Sequence, residues 1–416
     1  MISMAWMLVS VAAMSGCMAE PDFVPRPVIK PAVTKTTQEH RGLWVATVAN
    51  IDWPTTKSLT DTQRHTEMIK ILDAAKELGI TAIYFQARPC GDALYKSELE
   101  PWSEFLTGKS GVGPANGIDP LTTWVTEAHN RGMELHVWLN PFRVGHPKMT
   151  GPLALNHPAL HLADVTRDYG EYKWLDPAEP AAREHSWSVI EDITRRYGID
   201  GLHIDDYFYP YPVKQPNGAI KDFPDDPAWQ KYQNSGGKLS RPDWRRENIN
   251  TFLTEMNARA RSIKPGIAIG ISPFGIWQPD NPKGVKGLNA YESLYADAKK
   301  WTNEGWFDYM VPQLYWKVDA PQQPFKPLLD WWAAQNSKHK QLYAGLNVSK
   351  VGPDLAKDFS PSEITRQIDI IRATPGANGF VLFSARPIVE NRQQIRDILK
   401  AKLAEKPVPK SVGADR

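Results

Sequence analysis

The chain has 416 residues, of which 42% are hydrophobic and 23% are charged, a balance typical of a globular protein with enough apolar material for a large core. Its 49 lysines and arginines nearly cancel its 47 aspartates and glutamates, and the net charge of +2 leaves no basic excess that would favour nucleic acid as a partner. The two cysteines, Cys17 and Cys90, exclude a disulfide framework and a cysteine-rich zinc fold.

The N-terminal segment has the pattern of a secretion signal. Residues 5–14 form an apolar run that is too short to span a membrane. The sequence MSGC at 14–17 resembles a bacterial lipobox, so we predict a signal peptide over 1–17 and a lipid anchor on Cys17. This anchor would tether the protein to the outer membrane, facing the periplasm. The alternative is a cleaved signal with an incidental cysteine.

The segments that flank the central region lack helical or strand periodicity. Residues 18–38 are rich in proline, threonine and lysine and predict an extended tether. Residues 406–416 predict a disordered tail. Residues 39–405 are predicted to form one domain.

This central region alternates short apolar runs with amphipathic helical segments. Near-continuous apolar runs are typical of parallel strands that are covered on both faces. The predicted strands are 42–48, 81–88, 134–141, 201–207, 268–274, 309–316, 342–348 and 379–384. Helix-start signals lie between them, such as Asp119 before Pro120 and a capping box from Ser360 to Glu363. Eight strand–helix units predict an α/β fold, a (β/α)8 TIM barrel.

The segments after predicted strands two, three and four are long, covering about 89–118, 142–179 and 208–240. Active sites of such barrels lie at the carboxyl ends of the strands, where these segments would build a cleft. Neutral insertions are the alternative interpretation of the same lengths.

The fourth predicted strand ends in two adjacent carboxylates, Asp205 and Asp206. Because side chains alternate along a strand, His203 and Asp205 are expected to face the barrel axis, while Leu202 and Ile204 face the helices. A carboxylate at this position suits the oxocarbenium-like transition state of glycoside hydrolysis. We therefore predict both aspartates as catalytic, with Asp206 as a substrate contact or a partner of Asp205. A helix cap or a structural ion pair is the alternative.

Glycoside hydrolysis needs a second carboxyl group, and no glutamate stands at a predicted strand end. The candidates in the other loops are Asp92 and Asp176, followed by Asp52 and Glu100. The sequence does not identify the general acid.

Polar and aromatic residues near the strand ends predict a sugar-binding ring, because fixed hydrogen-bonding groups and flat rings suit hydroxyl-rich ligands. The predicted substrate-binding residues are Trp44, Gln86, Arg88, Asp92, Trp102, Asn140, Asp176, Tyr207, Ser272, Gln313 and Tyr315. The wider ring at the strand ends also includes Arg143, Asn347, Trp53, Trp138, Phe274, Trp277 and Trp316. His136 and His203 are isolated and are expected in the core, so no metal site and no cofactor are predicted.

Several ordered motifs resemble the glycosyl-hydrolase-like ten family, the YngK-type domain, from about residue 40 to 386. The matching stretches include RGLWVAT at 41–47, DWP at 52–54, NPFR at 140–143, LDP at 175–177, DDYFY at 205–209 and PQLYW at 312–316. The resemblance implies a barrel in the cell envelope that hydrolyses peptidoglycan glycan strands lacking stem peptides, with division-site proteins as candidate partners. Two alternatives stay open: a catalytically inert barrel that binds cell-wall glycan, and a glycosidase for another polysaccharide.

Overall fold

A computed structural model of the protein describes residues 39–405 and shows a closed barrel of eight parallel strands. In chain order the strands are β1 His40–Val45, β2 Ala82–Arg88, β3 Glu134–Leu139, β4 Arg143–Gly145, β5 Thr166–Tyr169, β6 Tyr172–Leu175, β7 Gly201–Ile204, β8 Ala268–Ile271, β9 Tyr309–Met310, β10 Gln341–Asn347 and β11 Gly379–Phe383. The barrel order is β1-β11-β10-β9-β8-β7-β3-β2, and this confirms the predicted TIM barrel. The predicted signal peptide with Cys17, the tether and the tail lie outside the described residues.

Several barrel strands are shorter than predicted at their carboxyl ends. The run 201–207 is a strand only to Ile204, and the run 309–316 only to Met310. Pro273 and Pro312 have no backbone N–H for the sheet, which ends the regular pairing there. Beyond Pro312, Gln313 pairs only through isolated bridges. The shortened strands leave extended segments at the mouth of the barrel.

The helices lie between the strands at their predicted places. They are α1 Asp61–Glu77, α2 Glu104–Thr107, α3 Pro120–Asn130, α4 Pro158–His161, α5 Pro180–Arg196, α6 Asp226–Asn234, α7 Arg241–Ile263, α8 Ala290–Ser293, α9 Ala298–Glu304, α10 Phe325–Gln335, α11 Pro361–Ala373, α12 Ala385–Val389 and α13 Ile395–Ala404. The Asp119 carboxylate caps α3 as predicted. Only half of the predicted capping box forms at α11: Ser360 accepts from the Glu363 N–H, but the Glu363 side chain accepts from the Val318 N–H instead. No helix within 39–405 has the length and hydropathy to cross a membrane.

The long segment after β3 folds into a small antiparallel sheet of order β4-β6-β5. It is joined to the segment after β7 by the Trp174 indole N–H, which donates to the Phe208 carbonyl at 2.8 Å. Tyr169 of β5 makes a similar link, since its hydroxyl donates to the Lys221 carbonyl at 2.7 Å. Two of the three long segments are therefore connected above the barrel.

The barrel interior is aromatic and polar rather than aliphatic. Tyr84, His136 and Tyr309 fill its lower part, and the Tyr309 hydroxyl lies 2.8 Å from His136 Nδ1. Gly201 and Gly270 face these rings: a Cβ on Gly270 would lie 2.0 Å from the Tyr309 ring, and one on Gly201 would lie 2.2 Å from the His136 ring. Small residues on β7 and β8 therefore make room for the large rings of β3 and β9.

We expect Gly270→Ala to destabilise the protein by about 1–3 kcal/mol, because the new methyl group overpacks the barrel against Tyr309. Gly266→Ala is the matched control, since a Cβ there meets nothing within 4 Å. Urea unfolding of both variants provides the comparison. Equal stability of the two variants would contradict the tight packing of this layer.

Candidate active site

Asp205 lies just beyond β7 and its carboxylate is held inside the upper end of the barrel. Oδ2 accepts hydrogen bonds from Trp138 Nε1 at 3.0 Å and from Asn140 Nδ2 at 2.6 Å, and Oδ1 accepts from the Tyr207 N–H at 3.2 Å. The side chain is 4% exposed. The predicted alternation is confirmed, since Leu202 belongs to the core outside the strands whereas Asp205 bonds to the interior Trp138.

The orientation of the Asn140 amide is set by its other partners. Asn140 Oδ1 accepts from Gln86 Nε2 at 2.6 Å and from Arg143 Nη2 at 2.8 Å, so its NH2 group must face Asp205. Gln86 is oriented in turn, because its Oε1 accepts from the backbone N–H groups of Thr47 and Val48. A directional series of hydrogen bonds therefore runs from the end of β1 to Asp205.

Asp206 is also buried, at 1% exposure, but has fewer donors. The Tyr211 hydroxyl donates to Oδ2, whereas Oδ1 makes no hydrogen bond within the described part of the chain. Burial, and next the charge of Asp205, raise the pKa of Asp206 to about 7; Tyr211 and the nearby Gln313 oppose this rise. The free Oδ1 is therefore available to a proton or to a bound molecule.

The two carboxyls differ in how well they tolerate charge. Burial raises the pKa of Asp205, but the Arg143 guanidinium and the hydrogen bonds from Asn140, Tyr207 and Trp138 act against that rise. Two neighbouring carboxylates in a dry site do not ionise together cheaply. Asp205, with three donors and a nearby cation, carries the charge first, and Asp206 keeps the proton.

Four more predicted site residues lie around this pair. Gln313 Nε2 donates to the Ser272 carbonyl at 2.9 Å, which places it beside Asp206. The half-buried Tyr315 is close enough that the charges of Asp206, Tyr207 and Asp205 help burial to raise its pKa. The Tyr207 ring lies under the Arg143 guanidinium, with 5.1 Å between Cζ and the ring centroid.

Trp44 donates its indole hydrogen bond to His203 and not to either carboxyl of the pair. Its indole N–H can only donate, so His203 Nε2, at 3.1 Å, must be the unprotonated nitrogen. The proton on Nδ1 then faces the Tyr309 hydroxyl at 3.3 Å, while Ser272 Oγ lies 3.0 Å from Nε2. Burial lowers the pKa of His203 well below its usual range, in agreement with a neutral ring. His203 and His136 are core histidines, as expected.

Two polar residues predicted to bind substrate are structural instead. Arg88 is buried and ion-paired with Glu100, with Nε to Oε2 at 2.8 Å, so its guanidinium does not face the carboxyl pair. Gln86 is fully buried and acts only through Asn140. The prediction that these two side chains contact substrate is therefore corrected.

The other acidic candidates are also held by internal partners. Asp92 accepts from the Cys90 N–H at 2.9 Å, and Asp176 accepts from the Ala178 N–H at 3.0 Å and lies 3.2 Å from Arg167. Asp52 accepts from the Ser384 hydroxyl at 2.7 Å. Glu100 is paired with Arg88, but Asp92 Oδ2 and Asp176 Oδ2 make no hydrogen bond within 39–405, and burial raises the pKa of these two carboxyls to about 6 and about 7. No hydrogen bond among the described residues joins any of the four candidates to Asp205 or Asp206, so they lie outside the carboxyl pair.

Trp102 is likewise placed away from the pair. Its ring covers Gly113, where an added Cβ would lie 2.5 Å from the indole nitrogen, and its carbonyl accepts from the Gly111 N–H. The predicted role of Trp102 in substrate binding has no contact with Asp205 or Asp206 to support it.

Trp138 and Arg143 belong to the predicted ring, whereas Tyr211 is a residue of the site that was not predicted from the sequence. Trp138 and Arg143 flank the end of β3, and their position at a strand end selected them together with Asn140. Tyr211 follows Asp206 by five residues in an irregular segment, and no periodic pattern points its hydroxyl back to that carboxyl. Within 39–405, no three His, Cys, Asp or Glu side chains are grouped to hold a metal ion.

The family resemblance of the sequence is confirmed by comparison with known proteins. Residues 39–361 match the family model described as glycosyl hydrolase-like 10. The chain is 36% identical to glycosyl hydrolase YngK of Bacillus subtilis over 385 residues, covering 90% of this chain and 74% of that protein. It is 34% identical to glycosyl hydrolase DigH of Escherichia coli K12 over 381 residues, covering 85% and 84%.

Solved structures with the same fold are more distant in sequence. The PgaB (BpsB) glycoside hydrolase domain from Bordetella bronchiseptica superposes with a TM-score of 0.58 at 14% identity, covering 87% of this chain and 98% of that one. The α-L-fucosidase isoenzyme 2 from Paenibacillus thiaminolyticus gives a TM-score of 0.56 at 12% identity, and 49% of its length is covered. These similarities support the barrel fold.

Because folding raises the pKa of Asp206, the free energy of unfolding should depend on pH. In the unfolded chain this carboxyl ionises near pH 4, but in the folded protein it stays protonated to about pH 7. Folding therefore takes up a proton between these values, and the free energy of unfolding falls as pH rises through this window. Asp206→Asn removes the dependence, so the variant should be more stable than the wild type at pH 8 and equal at pH 4.

Urea unfolding of Asp206→Asn and of the exposed control Asp164→Asn at both pH values measures this difference. The buried carboxyls that do not interact with Asp206 are common to all the proteins and cancel. The gain at pH 8 should be about 1.4 kcal/mol for each unit by which folding raises the pKa. No gain at pH 8 would mean that Asp206 ionises in the folded protein without cost.

Proposed function

We propose that this chain, which belongs to the glycosyl hydrolase-like 10 family, is a glycoside hydrolase whose reacting groups are Asp205 and Asp206. The proposal rests on the different number of hydrogen bonds that the two carboxyls accept. Asp205 has three hydrogen-bond donors, whereas Asp206 has one donor and an oxygen without a hydrogen bond. Glycoside hydrolysis needs one protonated and one ionised carboxyl group, and this environment supplies both.

Asp206 is the general acid in this proposal. It holds a proton at neutral pH because burial and the charge of Asp205 raise its pKa, and Oδ1 can present that proton to the leaving oxygen. As the glycosidic bond breaks, the leaving sugar takes the proton and Asp206 becomes ionised. The Tyr211 hydroxyl donates to the new carboxylate and stabilises it. A water molecule then adds to the anomeric carbon and returns a proton to Asp206.

Asp205 is the ionised partner. Its negative charge stabilises the positive charge that develops at the anomeric carbon, either directly or by orienting a 2-acetamido group that acts as the internal nucleophile. Asn140 and Trp138 fix its position, and fixed dipoles of this kind need no reorganisation during the reaction. The half-buried rings of Tyr207 and Tyr315 can stack on the apolar faces of a sugar.

For the substrate we propose peptidoglycan glycan strands that lack stem peptides. The family motifs at 140–143, 205–209 and 312–316 support this class, and they surround the carboxyl pair. We further propose that a lipid on Cys17 holds the protein at the outer membrane facing the periplasm, which would bring the barrel to the cell wall. Division-site proteins are its proposed partners.

The test is release of reducing ends from amidase-treated, peptide-free glycan strands. Asp205→Asn and Asp206→Asn should each lower kcat/KM by about 10²–10⁴-fold, because each removes one of the two reacting groups. In the wild type, kcat/KM should fall as pH rises through about 7, where Asp206 loses its proton. Asp164→Asn, on the surface, is the matched control and should keep full activity.

Full turnover by either active-site variant would contradict the proposed roles. Capture of the strands by the wild type without any soluble product would instead favour an inert glycan-binding barrel. Cleavage of chitin or α-glucans but not of the peptide-free strands would favour a glycosidase for another polysaccharide.

A further inference from the structure

A cleft of about 730 Å³ lies directly beside the carboxyl pair and has no role in the mechanism above. Its walls come from the segment after β7 and the segment after β8, and the two segments meet where the Tyr211 ring approaches Phe274, with 6.3 Å between ring centroids. Tyr211 belongs to both sites, because its ring lines the cleft while its hydroxyl binds Asp206. A molecule in the cleft therefore sits next to the reacting groups.

The cleft is lined largely by flat rings. Tyr169, Tyr211, Phe274 and Tyr295 contribute to its walls, and the exposed Ile220 lies at its rim. Aromatic faces of this kind suit the apolar faces of sugar rings. The volume is within the range of about 300–1,000 Å³ that is usual for ligand pockets.

Two lysines of this cleft have no carboxylate partner in the described part of the chain. Lys214 and Lys221 line it, and neither ammonium group has a carboxylate within ion-pair distance among residues 39–405. The Lys221 ammonium lies over the Tyr169 ring, 5.7 Å from the centroid, and its hydrogen bond of 3.4 Å goes to the Asp168 carbonyl. Lys214 is exposed.

The two carboxylates in the wall do not neutralise these lysines, because arginines behind the wall pair with them. Asp222 Oδ1 lies 2.8 Å from Arg245 Nη1. Glu292 Oε2 lies 3.6 Å from Arg246 Nη1. The two ammonium groups, unlike these acids, have no partner of opposite charge among the described residues and can pair with a negative group of a ligand.

The lysines are held on a defined backbone. Lys214 forms an antiparallel bridge with Ile220, and the Lys221 N–H donates to the Val213 carbonyl at 2.9 Å. The Tyr169 hydroxyl fastens this hairpin, donating to the Lys221 carbonyl at 2.7 Å and lying 3.2 Å from the Val213 nitrogen. The backbone that carries both lysines is therefore anchored to the sheet after β3.

We propose that the cleft is a substrate subsite for a sugar ring that bears a free carboxylate, with Lys214 and Lys221 as the residues that recognise that carboxylate. The inference rests on the proposed function: removal of a stem peptide converts the lactyl amide of a muramic-acid-type sugar into a carboxylate. An intact peptide would leave a neutral amide and place its bulk against the lysines. The subsite thus explains a preference for peptide-free strands by charge and by size.

The test compares two forms of one substrate: peptide-free strands with free lactyl carboxylates, and the same strands after conversion of the carboxylates to methylamides. The wild type should prefer the free form. In Lys214→Met/Lys221→Met, the ratio of kcat/KM on the free form to that on the amidated form should fall about tenfold, because charge-assisted hydrogen bonds are lost. The double Lys→Arg variant should keep the ratio, as should Lys70→Met on the exposed face of α1.

An unchanged ratio in the Lys→Met protein would overturn the subsite, and so would a wild type that cleaves both forms equally. If the wild type cleaves neither form, the proposed function fails, and calorimetric binding to Asp206→Asn protein decides the subsite by itself. In that case tighter binding of the free form, lost when Lys214 and Lys221 are also replaced by Met, supports it. Equal binding of both forms rejects it.

Discussion

The site depends on one constraint: two adjacent carboxyl groups are removed from water at the same end of the barrel. Asp205 and Asp206 are both almost fully buried, so they cannot both be charged at low cost. The surrounding protein resolves the conflict unequally, with donors from β3 and its end directed at Asp205 and a single tyrosine hydroxyl directed at Asp206. Two chemically identical side chains thereby acquire different protonation states.

The hydrogen-bonded side chains inside the barrel hold the carboxyl pair in a fixed position. The Trp44 indole can only donate a hydrogen bond, so it fixes the tautomer of His203. The side-chain amides of Gln86 and Asn140 are hydrogen-bonded to each other, and each fixes the orientation of the other. Each of these groups has partners that leave a single orientation, and a polar interior is stable only when its groups are satisfied in this way. Glycines on β7 and β8 provide the space that the lower aromatic rings need. The polar interior therefore acts as a rigid base for the carboxyl pair.

The barrel and the inward direction of Asp205 could be predicted because both follow from strand periodicity, which a sequence displays directly. The partners of polar strand-end residues could not, because those partners come from distant segments: Arg88 finds Glu100 in a loop, and Tyr211 turns back to Asp206 through an irregular chain. In the sequence, a polar residue at a strand end is the same whether its side chain faces the cleft or forms a buried ion pair. Pro312 shows a related limit, since the apolar run continues past the end of the regular strand at Met310, and beyond it the backbone pairs only through isolated bridges.

At neutral pH the pair of carboxyls holds one proton, and Asp206 carries it. Carbon-13 NMR titration of the protein labelled at its aspartate carboxyls measures this directly, with the Asp206→Asn spectrum assigning the resonance. The Asp206 carboxyl should stay protonated until about pH 7 while Asp205 is already ionised. A proton on Asp205 instead, or two ionised carboxylates at pH 5, would contradict it.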